Sequence, residues 1–202
     1  VLNSNRDATG GGNIQLFGTT IASNGGAITL GGGLNPLTTA AIGISSATEG
    51  SKTGVFLSAS TINSGAGTIS LRGLGLASAR GFGVDVAYNS SIVSTTGAID
   101  VHGVGGGGAG GSATNSNVGI FLRSTGSTIA SQNGNIHLVG EGGTGATSGS
   151  TNFGILVDSN ATVTSTGTGT ITLEGTGGGN DSTTNYGTGL RDGGKVIGTA
   201  AS

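Results

Sequence analysis

Short segments in which apolar and polar residues alternate are the dominant pattern of this chain. The clearest segment has the form Gly-x-Ile-x-Leu or Gly-x-Ile-x-Val, and its copies begin at Gly26, Gly67, Gly97, Gly134 and Gly169. Alternation with a period of two is typical of a β-strand that has one buried face. The pattern therefore predicts a series of equivalent short strands.

Two further motifs precede each copy of this segment and keep step with it. One is an apolar residue that follows Thr or Ser and stands two residues before Ser, at Ile21, Ile62, Ile92, Ile129 and Val163. The other alternating motif is centred near positions 14, 55, 84, 120, 155 and 188. Because the spacings of these motifs lengthen and shorten together, they belong to one repeating unit. Three short strands per unit predict one coil of a β-solenoid.

The three strands of one coil point in different directions and cannot pair with one another. Each is expected to pair in parallel with the equivalent strand of the next coil, about 4.8 Å away. Connections between parallel strands strongly favour a right-handed path. The predicted fold is all-β, a right-handed parallel β-helix of about six coils that forms a single unit over residues 1–202. Both ends are expected to be uncapped sheet edges, which invite further pairing.

A segment of variable length follows the Gly-x-Ile strand in each coil. The segments 103–117, 140–152 and 175–185 are rich in Gly, Ser, Thr and Asn, which predicts loops along one edge of the β-helix. The longest segment, 31–52, contains Ile42-Gly43-Ile44, which could form an additional strand.

One corner of the coil is marked by glycine and serine. Glycine stands two residues before the Ile of the strand, which indicates either a positive φ or a close approach of two backbones. The serine hydroxyls nearby are expected to hydrogen-bond from coil to coil. The glycines are Gly12, Gly26, Gly67, Gly97, Gly134 and Gly169, and the serines are Ser23, Ser64, Ser94, Ser131 and Ser165.

Composition and charge exclude several classes of protein. With 46 glycines in 202 residues, the chain would be expected to be disordered if it lacked the repeat. Three Glu and two Lys argue against a helical bundle. A formal charge of −2 with 8% charged residues leaves no basic stripe for nucleic acid, and no apolar run is long enough to span a bilayer. The absence of Cys excludes disulfides and thiolate metal sites.

The titratable residues do not form a recognisable catalytic pattern. Five aspartates occupy different positions of the repeat, so no pair with glycosidase spacing is predicted. They are Asp85, Asp100, Asp158, Asp181 and Asp192. His137 aligns with Asp100, and His102 shares a column with Arg72, Val139 and Glu174. Zinc needs three or four converging ligands. Solvated surface residues are therefore the favoured interpretation, with no catalytic residue, cofactor or metal predicted.

Two glycine-rich stretches match the letters of a dinucleotide-binding motif. They are Gly105, Gly107, Gly110 and Gly140, Gly142, Gly145. Such a motif should open a helix and be followed by an acidic residue at a set distance. Neither condition is met here, so these matches are interpreted as a consequence of the glycine content.

Two outward-facing columns are candidate contact sites. The first consists of Phe56, Asp85, Phe121 and Leu156, whose large apolar groups would form a contact surface if they are exposed. Alternatively, the glycine-rich loops fold over this row and cover it.

The second column is a ladder of hydroxyl groups at Thr20, Thr61, Ser91, Thr128 and Thr162. A flat ladder of hydroxyls and methyls would suit an ice-binding surface. The simpler interpretation is that β-branched residues suit strands.

The whole repeat resembles a known family. The order Gly-[Asn/Thr/Ala]-Ile-x-Leu-x-Gly, a glycine-rich loop, Asn-x-Gly-[Ile/Val]-x-[Leu/Val] and Thr-Ile-x-Ser is similar to the repeats of filamentous-haemagglutinin-like exoproteins of bacteria, which are often exported by two-partner secretion. Residues 12–198 carry the resemblance. It implies a β-helical shaft that is secreted or displayed on the cell surface and is often adhesive.

These observations together predict a structural or adhesive extracellular module, a rigid and non-catalytic shaft or fibre subunit. The expected partners are neighbouring coils or copies stacked end to end, and host-cell or matrix glycans, with no nucleic acid and no membrane span. The alternatives are a carbohydrate-active β-helix enzyme of the depolymerase or tailspike kind, and an ice-binding β-helix.

Overall fold

A computed structural model describes residues 1–7, 9–46, 48, 50–78, 80–107, 117–144, 152–179 and 185–199. The described residues form β-strands joined by turns and loops and contain no helix. The strands are arranged in three parallel sheets, which we call A, B and C.

Every sheet is built from one strand of each successive coil. Sheet A contains, in spatial order, β1 (Leu2–Ser4), β4 (Ile28–Gly32), β8 (Ile69–Leu74), β11 (Ile99–Val104), β14 (Ile136–Glu141) and β17 (Ile171–Thr176). Sheet B contains β2 (Ile14–Phe17), β6 (Val55–Ser58), β9 (Val84–Ala87), β12 (Ile120–Leu122), β15 (Ile155–Val157) and β18 (Thr188–Leu190). Sheet C contains β3 (Thr20–Ala22), β7 (Thr61–Asn63), β10 (Ser91–Ser94), β13 (Thr128–Ser131), β16 (Thr162–Ser165) and β19 (Lys195–Gly198).

The chain passes through sheets B, C and A in turn, which makes six successive coils, the sixth described as far as its strand in sheet C. The predicted three-strand parallel β-helix of about six coils is thereby confirmed, whereas its right-handed path stays a prediction. The additional strand expected near Ile42 is also present as β5 (Ala41–Ile42), which pairs with Gly73 and Leu74 of β8. The pairing of β4 with β8 extends only from Ile69 to Leu71, so β5 continues the edge of sheet A beyond that point.

The interior is a set of apolar columns in register. Ile69, Ile99 and Ile136 are direct partners in sheet A and are each fully buried. Each buried side chain of this size contributes about 1.5–3 kcal/mol relative to an exposed one. In a β-helix that burial is complete only when a coil is covered on both sides, so neighbouring coils stabilise one another.

The corner glycines are required by the close approach of successive coils. A Cβ on Gly97 would lie 1.8 Å from the carbonyl oxygen of Gly67, and one on Gly134 would lie 2.0 Å from that of Gly97. None of these three glycines has a positive φ. Of the two reasons predicted for this column, close approach is confirmed and positive φ is wrong.

The corner serines bond mainly within their own coil. The Oγ atoms of Ser64 and Ser94 each donate to the carbonyl oxygen of the glycine three residues later, Gly67 and Gly97, over 2.6 Å. A coil-to-coil contact of the expected kind joins the hydroxyls of Ser94 and Ser131 at 3.1 Å. The serine column therefore satisfies the carbonyl groups that the tight corner turns away from the strands.

Candidate ligand-binding surfaces

The row predicted as an exposed contact surface on sheet B is buried. Phe56, Asp85 and Leu156 are 0%, 1% and 2% exposed, and Phe121 is half-buried. Register pairing aligns all four as expected. The expectation of an exposed apolar row is wrong for Phe56, Asp85 and Leu156, and a loop lies over Phe56 as the alternative predicted. A Cβ on Gly50 would lie 2.1 Å from the Phe56 ring, which shows how closely the loop lies on this side chain.

The loops and sheet B enclose a second, smaller apolar cluster. Phe82, Val118, Phe153 and Leu156 are buried there and Phe121 packs against them. The rings of Phe82 and Phe121 meet edge to face with their centres 5.3 Å apart. Edge-to-face pairs of this kind add to the stability from buried area alone. The apolar residues on the outside of sheet B therefore anchor the bases of the loops.

A ladder of asparagines holds the chain where each loop returns to sheet B. Asn117 accepts a hydrogen bond from the Gly81 amide at 2.9 Å, and Asn152 accepts one from the Asn117 amide at 3.0 Å. Asn117 and Asn152 are buried, so these bonds satisfy amide groups that water cannot reach. The sequence showed Asn only as part of the repeat, and its role as a coil-to-coil acceptor was not predicted.

The glycines of the dinucleotide-like stretches pack successive loop bases together. A Cβ on Gly105 would lie 2.6 Å from the Gly143 nitrogen, and one on Gly142 would lie 2.5 Å from the Gly178 nitrogen. The described part of each stretch follows a strand and continues without a helix. Gly110 and Gly145 lie outside the described residues. Close packing of coils explains these glycines without a phosphate ligand.

A buried ion pair crosses between two coils on the outside of sheet B. The Nε and Nη2 atoms of Arg123 donate to the two carboxylate oxygens of Asp85 at 3.0 and 2.9 Å. Burial by itself would lower the pKa of Arg123, but the hydrogen bonds to Asp85 and the charge of that carboxylate raise it, with a smaller contribution from Tyr88. Arg123 therefore stays charged, and this two-pronged pair joins coils three and four. Arg191 makes a single, more exposed contact with Asp158 at 2.6 Å between Nη2 and Oδ2.

The outer face of sheet A carries a line of charged groups. His137 Nδ1 lies 3.7 Å from Asp100 Oδ1, as the alignment predicted, and its Nε2 lies 3.2 Å from Glu174 Oε1. The three side chains are 41%, 53% and 62% exposed, so the contacts are screened by water and weak.

His102 has different neighbours on the same face. Its Nδ1 lies 2.9 Å from Nη1 of Arg72, and its Nε2 lies 3.6 Å from Oε1 of Glu141. Arginine is always a donor, so Nδ1 of His102 acts as the acceptor of this hydrogen bond. Across the described ranges, no group of three or more His, Cys, Asp or Glu side chains is placed to hold a metal ion.

The hydroxyl ladder lies in register on sheet C. Thr20, Thr61, Ser91, Thr128 and Thr162 are successive partners in one column. The hydroxyl of Ser91 donates to that of Thr61 at 3.1 Å. Lys195 occupies the same column in the sixth coil. The structure thus brings the predicted ladder together on one face, and its binding role stays a prediction.

Comparisons with known proteins add no relative to this description. No family model matches the chain, and neither the curated proteins nor the solved structures include a match. In the part of the chain that the structure describes, there is no helix with the length and apolar character of a membrane-spanning segment.

Proposed function

We propose that this chain is a non-catalytic structural module, a rigid β-helical shaft that presents loops along one edge. The observation that carries the proposal is the interior, which runs without interruption through the coils with Ile69, Ile99 and Ile136 fully buried. Such a column makes a stiff rod because hydrogen bonds in all three sheets join each coil to the next. The ion pairs between coils, such as Asp85 with Arg123, add further links along the rod.

The proposed setting is extracellular or on the bacterial cell surface, as in the filamentous-haemagglutinin-like exoproteins that the repeat resembles. The proposed partners are further coils of the same repeat, including copies stacked end to end, and host-cell or matrix glycans.

The location is tested with antibodies against the purified chain. Labelling of intact, unpermeabilised cells of the source organism, or recovery of the antigen from the culture medium, is the expected result. Labelling that requires lysis of the cells would contradict the proposal.

Adhesion is tested by immobilising the chain and measuring the retention of host cells and matrix polysaccharides. The expected result is saturable binding with no new reducing ends in the polysaccharide. Release of reducing ends would favour the carbohydrate-active alternative. Thermal hysteresis in the same preparation would favour the ice-binding alternative.

A further inference from the structure

A cavity of about 350 Å³ opens between the loops of the first and second coils and the outside of sheet B. Its lining includes Ser46, Thr48, Lys52, Arg80, Phe82 and Arg123. Cavities that hold small ligands start at about 300 Å³, so this one has room for a single sugar ring or a group of similar size.

Three cationic residues line this cavity, although the chain as a whole is acidic. Arg123 is engaged by Asp85, which also lines the cavity. Lys52 and Arg80 form no ion pair or side-chain hydrogen bond with other described residues. Within the described lining, the positive charges therefore outnumber the single carboxylate.

Part of the cavity wall is closely packed. Phe82 is 6% exposed and is held edge to face by Phe121. The hydroxyls of Ser46 and Thr48 lie 3.1 Å apart at the rim. Arg80 has a φ of 61°, a conformation that a long side chain seldom adopts.

We propose that this cavity binds the anionic group of an acidic sugar, with Arg80 and Lys52 as its counter-charges. A guanidinium presents a planar fork that matches the oxygen pair of a carboxylate or sulfate, and an ammonium adds a point charge. The hydroxyls of Ser46 and Thr48 would accept or donate hydrogen bonds to the sugar ring. The inference rests on the proposed adhesive function and names the ligand class for it.

The test measures binding of three oligosaccharides of equal length to the full chain by calorimetry. One carries carboxylates (oligogalacturonate), one carries sulfates, and one is neutral. Binding of either acidic oligosaccharide, with none of the neutral one, is expected. The carboxylate and sulfate arms then identify which anion the cavity prefers. Failure of both acidic oligosaccharides to bind would overturn the inference.

The variants Arg80→Gln and Lys52→Gln should each weaken this binding about tenfold or more, since each removes one of the two charged donors assigned to the ligand. Lys195→Gln, at an exposed position on sheet C, is the matched control and should bind as the parent does.

The outcomes separate this inference from the proposed function. Unchanged acidic-sugar binding by the Arg80→Gln, Lys52→Gln double variant, with an unchanged circular dichroism spectrum, would overturn the cavity and leave adhesion standing. Cleavage of the bound acidic oligosaccharide would instead overturn the non-catalytic function.

Discussion

The corner glycine Gly97 provides the sharpest test of how the coils are packed. In Gly97→Ala the new Cβ would start 1.8 Å from the carbonyl oxygen of Gly67, and real Cβ contacts essentially never fall below 3.0 Å. Coils two and three must therefore move apart at this corner. Two hydrogen bonds flank it, from the Thr95 amide to Gly65 at 2.7 Å and from the Ile69 amide to Ala98 at 2.8 Å.

The expected loss of stability combines the cost of the steric clash with the cost of the two broken hydrogen bonds. Overpacking of a tight site costs about 1–3 kcal/mol, and the loss of each flanking hydrogen bond costs about 1 kcal/mol. We therefore expect Gly97→Ala to lower the free energy of unfolding by about 3–5 kcal/mol. Urea unfolding followed by far-ultraviolet circular dichroism measures this quantity.

Gly198→Ala is the matched control, because a Cβ at Gly198 would meet nothing within 4 Å and its φ is not positive. Its free energy of unfolding should equal that of the parent or rise slightly, as glycine replacement restricts the unfolded chain. Equal stability of Gly97→Ala and Gly198→Ala would refute the argument that close approach selects glycine at the corner.

Three further changes test the core, the buried ion pair and the loop anchors. Ile99→Ala should lower the free energy of unfolding by about 2–5 kcal/mol in urea titrations, because its site is covered by coils on both sides. Asp85→Asn should lower it by about 3–5 kcal/mol by leaving the buried guanidinium of Arg123 without its carboxylate. The raised pKa of Arg123 means that the arginine's contribution is present at every pH below its ordinary value and is lost only in strong alkali, so this loss should be similar in neutral and mildly alkaline buffer. Asn152→Ala should lower the free energy of unfolding by about 1–3 kcal/mol, because it leaves the buried backbone amide of Asn117 without a hydrogen-bond acceptor. Hydrogen exchange of that amide should become faster.

Each of these three predictions would be contradicted by a specific measurement. Thr172→Ala, on the exposed face of sheet A, is the control for Ile99→Ala, and equal stability of the two would contradict the stacked core. Unchanged stability of Asp85→Asn would show that Arg123 finds another partner of equal strength. Unchanged exchange at Asn117 would show that Asn152 is not its acceptor.

The stacking of strands was predictable because the repeat constrains it twice. Alternation assigns each residue to one face, and the matched spacing of three motifs assigns each strand to a sheet. A slip of one residue would turn Ile99 outward and expose it to water. The register of Ile69, Ile99 and Ile136 therefore follows from local pattern alone, and the alignment of His137 with Asp100 follows with it.

Residues outside the regular repeat were not predictable in the same way. β1 pairs Leu2 with Leu30 in sheet A, but its three residues show too little alternation to be recognised. The sequence left open whether the outer row of Phe56 and Leu156 is exposed or covered, because this depends on where a loop of irregular sequence folds.

The amino-acid pattern determined the class of fold, the composition of the three sheets and the residues that line the interior, because hydrophobic burial acts on a period of two that is visible in the chain. Only the tertiary structure decided which outward residues are covered, that Asp85 meets Arg123, and that Lys52 and Arg80 line one cavity. Those contacts join residues from different coils and loops, and their distances depend on how the loops pack, which no local periodicity specifies.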